Sequence, residues 1–365
     1  LIINLFQVRF HLLNMDIINE TKEYYGKVLN KSTDLKTNAC CTIEKYPKYI
    51  KDILKDIHDD ILSSYYGCGL VIPDCLEGKK ILDIGCGTGR DVYLLSKLVG
   101  ENGSVTGLDM TKEQLDIAFK YQEYHKEKYN YKKSNVNFVN GYMEELDTLN
   151  LDLGSYDVII SNCVINLSPN KEKVIKNIFN LLKDGGEFYF SDVYSTQRVP
   201  ENLKQNNILW GECLSGALYW NDFINLCKKC DFKDPRLVKS KSITVNNENI
   251  IELLGNIEFY SGTYRLFKMP NLLEPDCEDY GQAVIYKGTI TNSKDYWDLD
   301  GHHRMVKNKV FLVCGNTWNM LYHTRFKEHF TFIGDFNTHY GIFEGCGKNI
   351  PFKNLDSVNN SNNCC

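Results

Sequence analysis

Apolar and polar positions follow two rhythms along the chain. Residues 46–66 put Ile50, Ile53, Leu54, Ile57, Ile61 and Leu62 on one face of a helix, with Pro47 suited to its first turn. Residues 79–91, KKILDIGCGTGRD, read differently. Ile81, Leu82 and Ile84 form a short apolar run bounded by turn signals, as a strand buried on both faces does. Gly85, Gly87 and Gly89 follow, and then Val92, Leu95 and Leu98 recur at helical spacing. The same alternation continues. Strands are predicted at 104–110, 136–142, 156–162 and 187–194. Between them fall a helix from Thr111 to about His125, opened by a Thr111–Gln114 capping box, and a helix over 170–183 closed by Asp184, Gly185 and Gly186. Strands separated by helices imply an α/β fold with a doubly wound, mostly parallel sheet.

The rhythm changes beyond Pro200. Residues 201–214 and 221–230 read as helical, and 242–245 and 282–286 as short strands of a smaller α+β addition. From about Trp297 the chain is aromatic and irregular. Residues 351–365 are rich in Asn and Ser, end in Cys364 and Cys365, and read as a disordered tail. The expected divisions are an upstream extension at 1–14 ahead of a start at Met15, and an N-terminal loop and helix segment at 15–78. A sheet domain at 79–200, a linked region at 201–280, a C-terminal domain at 281–350 and the tail complete the list.

Charge and composition exclude more than they assign. A formal net charge of −5 leaves no basic footprint for nucleic acid. Nothing approaches the run of about 20 apolar residues that a membrane span needs, and residues 1–14 lack the basic start and cleavage site of a signal peptide. Cysteine is the unusual count, at 14. Disulfide frameworks belong to small secreted chains, so these thiols are expected to be reduced in a cytoplasmic protein.

Strand, glycine turn and helix form a nucleotide cradle, because glycines at alternate positions let the backbone come close to a ligand. The spacing is G-x-G-x-G, which disfavours a nicotinamide dinucleotide. Asp83 lies just before the turn, where it can orient the turn or a ligand ammonium. Asp109 ends the next strand, near the place of a ribose-binding acid, although a helix N-terminal charge is the alternative reading. With the segment NGYMEEL after the third strand, the constellation resembles the class I S-adenosylmethionine-dependent methyltransferases, and implies a Rossmann-like methyltransferase sheet. The resemblance implies adenine contacts from Met143 and Glu144. It also implies cofactor contacts from Tyr66, Asp83, Gly85, Gly87, Gly89, Asp109, Met110 and Asn162.

Three cysteines fall where topology gathers ligands, at the carboxyl ends of the strands. Cys163 follows the fourth strand, Cys213 lies beyond the fifth, and Cys68 precedes the first. Taken singly, each reads first as a small buried hydrophobe. Their wording together (LKTNACCT, YYGCGLVIP, SNCVINL, YFSDVY, LWGECLSGALYW) resembles the arsenite methyltransferases over about residues 24–268, and again at QAVIYKGTI. The chain beyond about Trp297 matches that family poorly. The resemblance implies that Cys68, Cys163 and Cys213 hold trivalent arsenic and makes 201–280 an arsenic-binding region. It also implies that Cys40, with Cys41 as an adjacent extra thiol, forms a disulfide with Cys68 that glutathione or thioredoxin reopens. Thiolates suit a soft thiophilic centre, and arsenic detoxification is the implied role. Two other readings stand beside it: a carbon or oxygen methyltransferase of the same fold, and a non-catalytic metalloid-binding protein. Cys227–Cys230 is a C-x-x-C without a second ligand pair and reads as structural. Cys75 and Cys86 read as packing thiols, and His302 and His303 as solvated.

Overall fold

The computed structural model describes residues 18–24, 46–63, 69–211, 213–245 and 247–346. It divides into two compact units. One runs to Lys268 and includes Asp298–His303; the other comprises Met269–Trp297 and the chain from Arg304 onward.

After the helical residues 18–23 the first unit has two short helices, α1 (Lys48–Leu54) and α2 (Asp59–Leu62), where one was expected. His58 explains the break. Its Nδ1 accepts the Asp60 amide at 3.2 Å, giving the backbone a cap in place of a continued helix. Then come β1 (Lys80–Ile84), α3 (Arg90–Val99) and β2 (Ser104–Asp109). The helix expected to reach His125 divides at Tyr121 into α4 (Lys112–Lys120) and α5 (Gln122–Lys128). Its start is also corrected: the Thr111 side chain makes no cap bond, and the Asp109 carboxylate takes the Thr111 amide instead. β3 (Val136–Asn140), β4 (Tyr156–Asn162) and α6 (Lys171–Leu181) follow, α6 being capped by Asn170. β5 (Leu182–Ser195) begins earlier than predicted. Asp184, Gly185 and Gly186 do not end the preceding helix but form an irregularity within the strand, which pairs Leu182 with Tyr156 and resumes at Glu187 opposite Val158. The unit closes with α7 (Asn207–Gly211), β6 (Leu218–Tyr219), α8 (Trp220–Lys229), β7 (Arg236–Ile243), α9 (Glu248–Leu254) and β8 (Phe259–Phe267).

The sheet has eight strands in the order β3-β2-β1-β4-β5-β8-β7, with β6 paired to the end of β5. β1 to β5 run parallel, and β8 and β7 are antiparallel additions. Side chains alternate across it as the strand period requires. Ile81, Val158 and Ile160 join one apolar cluster with Val92 and Leu95 of α3, whereas Leu82, Ile84 and Ile159 join another with Val174 and Ile178 of α6. Helices thus cover both faces, and the order reverses between β1 and β4, where such sheets bind ligands. A buried ion pair, Arg265 Nε to Glu187 Oε1 at 2.6 Å, ties β8 to β5.

The second unit corrects the expectation of irregularity after Trp297. Its strands are β9 (Glu278–Asp279), β10 (Gln282–Tyr286), β11 (Tyr296–Asp298), β12 (Arg304–Val306), β13 (Val310–Val313), β14 (Phe330–Ile333) and β15 (Gly341–Ile342), with α10 (Gly315–Tyr322) between β13 and β14. β10 lies between β13 and β14 in an antiparallel sheet. Strands of two to five residues are too short to display a period, so the sequence read as patternless.

Candidate functional site

The glycine turn is held from β2. The Gly85 and Cys86 amides donate to the Leu108 carbonyl at 2.8 and 3.0 Å, and the Gly87 amide donates to Asp109 Oδ2 at 2.8 Å. Asp109 Oδ1 meanwhile accepts the Thr111 amide at 2.8 Å. The carboxylate therefore ties the turn to the start of α4. It also lines the cavity, and the Thr111 side chain and the Met110 amide bond it as well.

That cavity runs from Asp83, Gly85 and Gly87 past Asp109 and Met110 to Met143, Glu144, Asn162 and Cys163. Gly85 has a φ of +78°, and a Cβ there would lie 2.4 Å from Val164 Cγ2. Gly87, at φ +54°, has only Gln114 Oε1 within 4.0 Å of a would-be Cβ, so a side chain would occupy the open cradle itself. Acids at two places, apolar walls and a bare backbone between them fit an adenosyl-amino-acid cofactor. Gly89 is the residue before α3, and Cys86 packs its sulfur against Gly107, where a Cβ would be 2.8 Å away.

Burial governs the electrostatics. It raises the Asp83 carboxyl well above its ordinary range, and the neighbouring Asp91 and Asp109 charges add to the effect. Asp109 is raised by burial against its amide bonds. Glu144 is raised by burial although Ser168 Oγ donates to it. The Cys86 thiol is pushed well up by burial and by Asp109 and Asp83, so it stays protonated. Asn162 Nδ2 donates to the Gly69 carbonyl at 3.1 Å, which anchors the segment ahead of β1.

The structure brings two of the predicted thiol positions together. Cys163 directly follows β4, its amide donating to the Ser191 carbonyl at 2.8 Å. Cys213 follows α7, and its Sγ donates to the Cys163 carbonyl at 3.2 Å. Both have positive φ, +57° and +63°, a region that side chains other than those of Gly, Asn and Asp rarely adopt. Cys163 is disulfide-bonded, while the eight other described cysteines, Cys213 among them, are thiols. Cys40, Cys41, Tyr66, Cys68, Cys364 and Cys365 lie outside the described residues.

Several other features are now placed. Cys227, in the last turn of α8, and Cys230, the residue after it, are buried, and burial raises both thiols. His302 is exposed, whereas His303 bonds Asp300 through Nδ1 at 2.7 Å. Among the described residues no three His, Cys, Asp or Glu side chains gather as a metal site, and no helix is long and apolar enough to cross a membrane. Ile18 and Thr21 line the cavity from residues 18–24. No pattern pointed to them. Val164 and Leu167, which line it beside Cys163, could have been inferred from their place after β4.

Residues 76–231 match a methyltransferase domain family, and residues 280–361 match the arsenite methyltransferase C-terminal domain family. The chain is 52% identical to an arsenite methyltransferase of Aquipseudomonas alcaligenes over 344 residues, 94% of this chain and 99% of that one. It is 44% identical to the arsenite methyltransferase of Rattus norvegicus over 319 residues, 87% of this chain and 85% of the other. The crystal structure of an arsenic (III) S-adenosylmethionine methyltransferase from Chlamydomonas reinhardtii superposes with a TM-score of 0.80 at 46% identity, over 82% of this chain and all of that one. The expected mismatch beyond Trp297 is therefore overturned: that stretch has a family counterpart of its own.

Proposed function

We propose, from the premise that this chain belongs to the arsenite methyltransferase family, that it methylates trivalent arsenic with S-adenosylmethionine. Bound in the cavity, the cofactor supplies a sulfonium methyl group as the electrophile. Gly85 and Gly87 give it a bare backbone to lie against, with Gly89 opening α3 behind them. Asp109 accepts its ribose hydroxyls, and Met143 and Glu144 flank the adenine. Asp83 and Asn162 hold the amino-acid end, with Met110 and Tyr66 as further contacts.

Cys163, Cys213 and Cys68 bind the substrate arsenic as thiolates. Thiolate-bound arsenic keeps a lone pair, so the acceptor is itself the nucleophile and the protein needs no general base. What it supplies is position: arsenic held in line with the methyl group. Each methylation raises arsenic formally from the trivalent to the pentavalent state. Oxidation of the Cys40 and Cys68 thiolates to a disulfide returns two electrons, and glutathione or thioredoxin reopens that bond. Arsenic detoxification in the cytoplasm is the corresponding role.

The observation that carries this reading is the 3.2 Å bond from Cys213 Sγ to the Cys163 carbonyl. It sets cysteines from two separate segments side by side, and Cys163 lines the same cavity as Gly85 and Asp109. The test is direct: purified protein with arsenite, a methyl-labelled cofactor and a thiol reductant. Labelled mono- and dimethylated arsenic are expected, and Cys163→Ser or Cys213→Ser abolishes both. Absence of methylated arsenic from the unaltered protein would sink the proposal.

A further inference from the structure

Two buried polar residues beside the thiols serve neither the cradle nor the arsenic ligands as described above. Asp192, near the end of β5, is 1% exposed, and Asn166, in the turn after Cys163, is 3% exposed. Each bonds to backbone of the other's segment. Asp192 Oδ2 accepts the Asn166 amide at 3.0 Å, and Asn166 Nδ2 donates to the Val193 carbonyl at 2.6 Å. Asp192 Oδ1 accepts the Val193 amide at 2.8 Å.

The turn held in this way is the one that carries Cys163. The segment bearing Cys213 closes on the same turn from the other side: Cys213 Sγ reaches the Cys163 carbonyl, and a Cβ at Gly216 would lie 2.3 Å from the Asn166 carbonyl oxygen. Lys171 adds a further tie, its Nζ donating to the Ser168 carbonyl at 2.8 Å and lying 5.3 Å from the centre of the Trp210 ring. Both cysteines sit at positive φ, a conformation that persists only where the surroundings over-determine it. We propose that Asp192 and Asn166 form a reciprocal clamp that positions Cys163 and Cys213 for arsenic, Asp192 acting as a positioning residue rather than a catalytic one. This rests on the thiolate reading above.

A carboxylate is required because amides converge on both of its oxygens, that of Asn166 on Oδ2 and that of Val193 on Oδ1, with Ile165 supplying a further one, and an acceptor-only group serves both sides. A carboxamide serves one and turns an N–H toward the other. In the full-length protein, Asp192→Asn is therefore expected to raise KM for arsenite about 10- to 100-fold, the cost of one buried unmet amide expressed as affinity, with KM for the cofactor unchanged. Quenching of Trp210 fluorescence by arsenite should weaken in parallel. Amide hydrogen exchange should show the Asn166 and Val193 amides losing protection while β1 and β4 keep theirs. Asn166→Ala, which removes only the bond to the Val193 carbonyl, is expected to act in the same direction more mildly and serves if Asp192→Asn does not fold. Tyr129→Phe is the stability control: it deletes a buried bond to the Tyr93 carbonyl and should leave KM for arsenite unaltered. The clamp is refuted if Asp192→Asn moves both KM values together, or if amide protection at Asn166 and Val193 is unaffected. The exchange measurement needs no arsenic, so an unaltered protein that failed to bind arsenite would overturn the thiolate reading separately.

Discussion

Cys163 and Cys213 are the residues at which local preference and tertiary demand conflict. Each side chain in the left-handed region costs on the order of 1–2 kcal/mol relative to glycine, yet both positions carry cysteines at positive φ. Replacing Cys213 separates the two effects. Cys213→Ala and Cys213→Gly both remove the thiol and should both abolish arsenic methylation. The glycine variant should nevertheless be the more stable by about 1 kcal/mol in denaturant unfolding, because it occupies the same backbone without a Cβ. An alanine variant as stable as the glycine one would contradict strain at this position. None of this was legible in the sequence, since a cysteine in a turn looks like any other cysteine. What could be read was that Cys163 directly follows the fourth strand, where the structure has it.

At the scale of elements, α5 is joined to α3 and α2 through one buried histidine. The His125 ring stacks on Tyr93 at 3.7 Å, its Nδ1 lies 2.7 Å from the Tyr121 carbonyl, and its Nε2 meets the His58 amide at 3.4 Å. Nδ1 is thus assigned the proton, and neither neighbour accommodates a second one. Burial lowers this histidine to about 4, against the Tyr121 bond. The unfolded chain, near 6.5, then binds more protons than the folded one between those values, so stability rises with pH across that window and is lost on acidification through it. The shift corresponds to about 3 kcal/mol. Urea unfolding at pH 4.5, 5.5 and 7 should show this acid limb, and His125→Phe, which keeps the stack, should flatten it. Helical spacing revealed the α4–α5 segment but not its division at Tyr121, because the break serves contacts from a helix some sixty residues earlier.

At the scale of the molecule, the first unit includes a stretch that returns late in the chain, Asp298–His303. Asp300 there accepts Arg236 Nη1 at 3.2 Å, the His302 and His303 amides at 2.9 and 3.1 Å, and His303 Nδ1. Burial alone would raise its carboxyl, but the His303 bond and the His303 and Arg236 charges hold it well below the usual range. Its contribution is therefore present above the ordinary carboxylate pKa and fades only on strong acidification. Arg236 is itself buried and keeps Asp234 as its other partner. Asp300→Ala should destabilise the full chain by about 2 kcal/mol, the loss of a hydrogen bond to a buried charge. A chain ended after Lys268 should melt lower still. Equal melting of that fragment and the full chain would show that the returning stretch carries no stability.

The sequence by itself determined the parallel core, the glycine turn and the family, because these depend on short-range period, spacing and wording. Only the tertiary structure decided how they act together. It gave Asp109 the Gly87 and Thr111 amides to hold, set the Cys213 sulfur on the Cys163 carbonyl, and bonded Asp192 to the Asn166 amide in the turn after Cys163. The physical reason is that burial, φ and hydrogen-bond partnership at each of these residues are imposed by segments tens of residues distant, and no local pattern records them.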